Sequence, residues 1–281
     1  MMSNNKSLII ITKNNIRNVS ILRELFFYRQ LIFILFYRDL VSSYKQTILG
    51  PLWIIINPLV TSFVFTIIFS KIANIPTDTI PPFLFYFSAL TIWIFFQANV
   101  LQISNFFNLH RDFFSKVYFA RLSVPCAYIL TNTVKFLIQF FILYLFCYFF
   151  YDYKIILNFT FFITLIVIFI YVCVFSLAVG LFLNSFTFKY RDLTSIIAFG
   201  LNIWMYLSPI VYPISQAPEK LKIILLLNPM TSVIEVFRYS LFKVGTISFY
   251  SIGVSIFFLI FFFIIGIYLF KKTENNFIDV V

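Results

Sequence analysis

Long apolar stretches alternate along this chain with short clusters of charge and proline. Six stretches, at about 52–70, 83–107, 125–149, 155–183, 194–215 and 247–270, approach the ~20 apolar residues that a helix needs to cross a bilayer's hydrocarbon. Two other apolar runs are too short. LIFILF at 31–36 is pinned between Arg29 and Arg38, and LKIILLL at 221–227 stops at Asn228-Pro229. The pattern predicts an all-α polytopic membrane protein with six transmembrane helices.

The segments around the spans predict two further elements. In ILRELFFYRQLIFILFYRDLVSSYKQT, Arg23, Glu24, Tyr28, Arg38, Asp39 and Lys45 interrupt a long apolar pattern, as in an amphipathic helix lying in the headgroup plane with its cations toward phosphates. ILGPLW follows: Gly50 and Pro51 break the chain, Pro51 opens the first span and Trp53 anchors it at the interface. The chain thus divides into an N-terminal segment, 1–50, carrying the interfacial helix, and a single transmembrane domain, 51–281. Between 217 and 244, LKIILLL and TSVIEVFRYSLF flank the Asn228-Pro229 break. Thr231 is placed to cap the second short helix, and Glu235 and Arg238 to pair at i,i+3. Neither half can span, so the pair is expected to enter the membrane and return, with irregular backbone at the break shielded by protein or water. An amphipathic hairpin lying on the outer surface is the simpler alternative.

Composition agrees with the pattern. A chain that is 62% hydrophobic, with 42 Phe, a mean hydropathy of +0.97 and only 11% charged residues, is no ordinary soluble domain. Its 21 Lys and Arg against 10 acids leave a net charge of +11, which in a membrane chain marks the cytoplasmic side rather than a nucleic-acid partner. With six spans both termini share one side. Placing that side in the cytoplasm puts Lys6, Lys13, Arg17, Arg23, Arg29, Arg38, Lys45, Arg111, Lys116, Arg121, Lys189, Arg191, Lys271 and Lys272 there. That is 14 of the 21, with 6 opposite and Lys135 inside the third span. Both termini are therefore expected in the cytoplasm. The N-terminal MMSNNKSLIIITKNNIRN has no small-residue cleavage site and is not read as a removable signal.

Candidate chemistry is sparse. Cys126, Cys147 and Cys173 lie in or beside apolar runs with no CxxC, and read as small buried hydrophobes. His110, the single histidine, reads as a surface polar residue, so neither a metal site nor a Ser-His-Asp arrangement is expected. The acids are scattered singly without a DxD pair, which argues against metal-dependent glycosyl transfer. The chain is expected not to be an enzyme. A secondary transporter or channel usually shows buried ionisable residues for coupling, and only Lys135 qualifies.

The tetrapeptide YRDL occurs twice, at 37–40 and 190–193, and both copies fall on the cytoplasmic side. Its surroundings carry a resemblance. YRDLVSSYKQTILGPLWIIINPL closely resembles the N-terminal signature of type-2 ABC transporter permeases that export polysaccharides such as O-antigen, capsule and teichoic acid. HRDFFSKVYFARLSVP resembles the family's loop between spans two and three, with Ala120 where a Pro is usual. FKYRDLTSI, SPIVYPIS, NPMTSVIEVFRYSLF and ENNFIDVV follow in the family's order, so the resemblance covers nearly the whole chain.

The resemblance implies a homodimeric permease in the bacterial inner membrane, working with two copies of a separate nucleotide-binding subunit that uses ATP and Mg. This chain itself is expected to bind no cofactor, and the sequence contains no GxxxxGK[ST]. The implied substrate is a polyprenyl-diphosphate-linked polysaccharide; export of a lipid, drug or lipo-oligosaccharide is the alternative. ATPase coupling then falls to His110, Arg111, Asp112, Lys116 and Arg121, otherwise a solvated basic loop. An entrance and headgroup gate is expected from Arg29, Arg38, Asp39, Tyr44, Lys45, Gly50, Pro51, Trp53, Arg191 and Asp192, where cations at headgroup depth attract phosphate. The alternative there is attraction to ordinary anionic lipid.

Polar groups inside spans are costly and therefore informative. Asn132, Lys135 and Gln139 share one face of span three, and Gln97, Asn99, Gln102 and Asn105 recur in span two. They either line a route or hydrogen-bond helices together, and for the amides the second reading is favoured. Lys135 at depth requires an acidic or aqueous partner that the sequence does not name. Tyr86, Phe87, Trp93, Gln97, Lys135, Trp204 and Tyr206 are the candidate path residues. Asn228, Pro229, Glu235 and Arg238 are the candidate outer gate.

Overall fold

The computed structural model describes residues 21–45, 48–110, 119–150, 158–190 and 192–280. All regular elements among them are helical: α1 (Ile21–Phe27), α2 (Arg29–Ser42), α3 (Trp53–Phe65), α4 (Pro82–Ser104), α5 (Phe106–Leu109), α6 (Ser123–Phe150), α7 (Phe159–Thr187), α8 (Leu193–Tyr206), α9 (Glu219–Leu226), α10 (Pro229–Phe242) and α11 (Phe249–Val280). Among the described residues five stretches are long and apolar enough to cross a membrane: Gly50–Ile72, Pro82–Ser104, Ser123–Phe149, Phe159–Thr187 and Phe249–Thr273. At 1.5 Å per residue each exceeds the ~30 Å hydrocarbon core.

The expected fifth span, 194–215, is corrected. Its helix, α8, has 14 residues and ends at Tyr206, about 21 Å long. Pro209 and Pro213 lie just beyond; each lacks an N–H and disfavours helix in the residue before it, so the chain leaves α8 in turns. α8 still carries the chain from one end of the bundle to the other. It begins close after Thr187, whose carbonyl binds Asn108 at the end where α1 and α2 lie. It finishes where Arg238 binds the carbonyls of Pro209 and Phe85. These are called below the basal and distal ends.

α4 is the hub. It packs against α3, α6, α7, α8 and α10, and 78% of its spanning stretch is buried, against 11% for α11. Helices that are apolar all round and largely exposed outside a buried hub are suited to a hydrocarbon solvent. The hub permits close crossings: a Cβ on Gly180 of α7 would fall 2.6 Å from Cβ of Ile103 on α4.

Amides stitch the polar halves of the helices together. Asn132 Nδ2 donates to Asn99 Oδ1 at 2.8 Å and Gln102 Oε1 at 2.9 Å. Asn184 Nδ2 and the Thr187 hydroxyl donate to Ser104 O. Gln97 Nε2 reaches Asn202 Oδ1 on α8 at 2.9 Å. These contacts are helix-joining bonds, each worth about 1 kcal/mol in a bilayer.

Candidate functional site

The basal cluster begins with the Gly50-Pro51 break. Gly50 takes φ +49°, which favours glycine, and Pro51 sits at the start of a 3₁₀ turn that runs directly into α3 at the half-exposed Trp53. The helix expected at the interface forms as α1 and α2, and α2 packs along the first turns of α6. Leu35 faces inward, joined by Tyr28, Leu31, Ile32 and Phe36, against Val124, Ala127 and Tyr128. Its outward face carries Phe33, Ile34 and Tyr37, so α2 is apolar on both sides with charge concentrated at its C-terminal turns. Arg29 lies over the Phe26 ring at 4.6 Å.

Arg38 and Asp39 form an ion pair at 2.8 Å. Asp39 is the acidic group acting electrostatically on Lys135, and the Lys135 ammonium lies 6.0 Å from the Tyr44 ring. The fold also relocates the lysine. Gln139, one turn further along α6, bonds the carbonyl of Ile54 at the start of α3. Lys135 therefore lies level with the first residues of span one, at the boundary rather than deep within the bundle. α6, at 28 residues, is longer than a bilayer requires, and its first turns extend past that boundary.

His110 follows α5, and its Nε2 lies 2.8 Å from the Tyr128 hydroxyl on α6. Burial, with the nearby Arg38 charge, holds the imidazole below its ordinary range against a smaller opposing pull from Asp39. It is thus kept neutral at neutral pH. Arg121 is buried, with its guanidinium 5.9 Å from the Phe107 ring. Arg111, Asp112 and Lys116 of the expected coupling segment, and Arg191 of the second YRDL, lie outside the described residues. Asp192 precedes α8 and is exposed, as is Lys45.

The distal cluster is built on α10, and 12 of its 14 residues are buried. Asn228 is its cap: Oδ1 accepts from Met230 N and from Trp204 Nε1, while Nδ2 donates to Leu207 O and Ser208 Oγ. One amide therefore fastens the end of α8 to the start of α10, with Pro229 in the first helical position. The cap is not Thr231, which is buried inside the helix with no partner for its hydroxyl. Proline at the first helical position already marks the preceding residue as the cap.

Arg238 is 1% exposed. Its Nη1 donates to Pro209 O and Glu235 Oε1, and its Nη2 to Phe85 O and Ile210 O. Glu235 Oε2 accepts from Thr246 N at 3.1 Å, just before α11. The i,i+3 pair thus joins the beginnings of α4 and α11 to the turn after α8. Phe85 and Asn202 were not singled out in the sequence; among so many aromatics and amides, neither carries a local signal.

The candidate path residues lie between these clusters. Tyr86, Phe87 and Trp93 are fully buried on α4. Trp93 packs edge-on to Trp204 at 6.0 Å, and Tyr206, about half exposed, stacks over Phe65 at 6.5 Å. In this conformation Tyr86, Phe87, Trp93 and Trp204 pack into the aromatic core, with Tyr206 at its edge. Among the described residues no group of three or more His, Cys, Asp or Glu is placed to hold a metal.

Comparison with known proteins agrees in extent and kind. The family profile described as ABC-2 type transporter matches residues 30–242. The O-antigen export system permease protein RfbA of Myxococcus xanthus is 27% identical over 219 residues, which is 76% of this chain and 81% of that protein. Two proteins of the same name from Klebsiella pneumoniae are 26% and 25% identical over 246 residues, each match covering 87% of this chain and 92% of theirs.

Proposed function

The chain belongs to the ABC-2 type transporter family, and from that premise we propose that it is the permease subunit of a polysaccharide exporter of the O-antigen type. Its substrate is a polyprenyl-diphosphate-linked glycan, carried from the cytoplasm to the outer face of the bacterial inner membrane. The observation that carries the reading is end-to-end similarity to O-antigen export permeases, over 87% of this chain and 92% of two of those proteins.

The chain works as a homodimer with two copies of a separate ATPase subunit that binds ATP and Mg. Both termini and the basal end face the cytoplasm. There Arg29, Arg38, Lys45 and Lys135 offer cations to the diphosphate at headgroup depth, and Gly50, Pro51 and Trp53 hinge the entry helix to span one. Residues 110–121 receive the ATPase. The His110 to Tyr128 contact and the Arg38–Asp39 pair, both facing α6, give that segment a route to the entry helix. Tyr86, Phe87, Trp93, Gln97, Trp204 and Tyr206 line the passage when α4 and α8 separate. The Asn228 and Arg238 clusters hold the distal mouth closed.

Deleting the gene in its native host tests this. Surface polysaccharide is expected to fall while polyprenyl-linked glycan accumulates inside. Unchanged surface glycan with no internal build-up would replace the glycan with a smaller lipid or drug.

A further inference from the structure

One concave feature has no part in that reading. Leu227, just after α9, and Phe249, Tyr250, Gly253, Val254, Phe257 and Phe258 of α11 line an open groove of about 510 Å³ at the distal end. The volume lies within the roughly 300–1,000 Å³ of small-ligand clefts. The α11 residues recur at i, i+4 and i+8, so the groove follows one helix face for about 14 Å. Gly253 makes its notch, since a Cβ there would meet no atom within 4 Å. Phe249, Tyr250 and Phe257 stand exposed along it.

The lining excludes most ligands. Only the Tyr250 hydroxyl offers a polar side-chain atom, so a sugar or peptide would bury unpaired polar groups. α11 faces outward along most of its length, so a hydrocarbon chain can enter from the side. The segment bordering the groove supplies charge: Lys220, Lys222 and Lys243 are exposed, against Glu219 as its one exposed acid. An apolar groove beside a segment of exposed lysines fits an anionic amphiphile.

We propose that the groove holds one acyl chain of an anionic phospholipid, with its phosphate at Lys220 and Lys222. Such a lipid is retained through purification, unlike the exchanging lipid around the rest of the bundle, and the site stands independently of what the protein exports.

Native mass spectrometry of the full chain, in detergent micelles doped equally with phosphatidylglycerol and phosphatidylcholine, tests it. The unaltered chain is expected to keep one phosphatidylglycerol. Gly253→Ala keeps it, because the added methyl meets nothing; Gly253→Phe fills the notch and loses it. Leu227→Trp narrows the groove from α9 and loses it too, which covers the case that Gly253→Phe fails to fold. Lys220→Gln with Lys222→Gln abolishes the preference for phosphatidylglycerol. The proposal is overturned if the unaltered chain retains no lipid, or if folded Gly253→Phe and Leu227→Trp retain as much as it does. It is equally overturned if these variants turn a lipid-free dimer into monomer, since the groove is then a contact between copies. An unchanged preference in the double lysine variant overturns the headgroup assignment.

Discussion

The guanidinium of Arg238 lies 3.5 Å from the centre of the Phe85 ring, while its Nη2 donates to the carbonyl of that same residue at 3.2 Å. Stacking and hydrogen bonding thus act together on the first turn of α4, the hub helix. A buried guanidinium is tolerable only where its charge is paired and most of its donors are occupied, and here three carbonyls, a carboxylate and a ring surround its two terminal nitrogens, while Nε has no partner.

Removing this cation leaves Glu235 buried without its partner. Arg238→Ala is therefore expected to destabilise the protein by about 3–5 kcal/mol. Arg238→Lys keeps the charge but loses the planar fork that spans several carbonyls, and falls between. Adding Glu235→Gln to Arg238→Ala should recover part of the loss by removing the orphaned charge. Thermal unfolding of the full chain in detergent checks the order; an Arg238→Ala protein that melts with the parent would show that the cluster does not hold the distal end.

Asp39 on α2 and Lys135 on α6 carry opposite charges near the basal boundary without forming an ion pair, so any coupling between them acts through space. Lys135→Met and Asp39→Asn should each loosen α2, and the double variant should cost less than their sum. Coupling on the order of 0.5–3 kcal/mol is expected for groups in one network. A double-mutant cycle read by protease susceptibility of the 21–45 segment measures it, and strict additivity would show that the two charges do not communicate.

Much of this architecture was legible, and the failures have causes in particular residues. The break at Asn228-Pro229, the i,i+3 pair and the Gly50-Pro51 turn rest on local backbone chemistry, which a sequence states directly. The helix of the fifth span is shorter than its apolar stretch, because 194–215 is apolar throughout and hydropathy does not register that Pro209 and Pro213 end the helix. The length of span three alone places Lys135 deep, whereas its level is set by Gln139 meeting Ile54, a tertiary contact. Residue type alone points to Thr231 as the cap, while Asn228 beside Pro229 holds the position. The partners of Arg238 are mostly backbone carbonyls, which have no sequence signature.

The hub crossing separates steric from polar cohesion. Gly180→Ala gains up to about 1 kcal/mol of helix propensity, yet its methyl would fall 2.6 Å from Ile103 Cβ, an atom that no rotamer change moves away. The backbones of α4 and α7 must separate, and a net loss of about 1–3 kcal/mol is expected. Asn132→Leu removes the donor to both Asn99 and Gln102 and should cost about 1–2 kcal/mol. Urea or thermal denaturation of both variants side by side decides the ranking. A Gly180→Ala protein as stable as the parent would mean that the crossing is looser than 2.6 Å implies.

His110 offers the most direct electrostatic check, because it is the chain's single histidine and a labelled imidazole gives one signal. Burial and Arg38 hold its titration below the ordinary ~6.5, with Asp39 opposing. The folded state therefore binds fewer protons than the unfolded one just below pH 6.5, so stability at this joint is full above that pH and falls as pH drops toward the folded midpoint. NMR titration in nanodiscs should place the midpoint below 6.5. Arg38→Gln removes a like charge and should raise it, and Asp39→Asn removes the attractive one and should lower it further. A midpoint at or above 6.5, or shifts of the opposite sign, would separate His110 from the Arg38–Asp39 pair and remove the electrostatic link between His110 and α2.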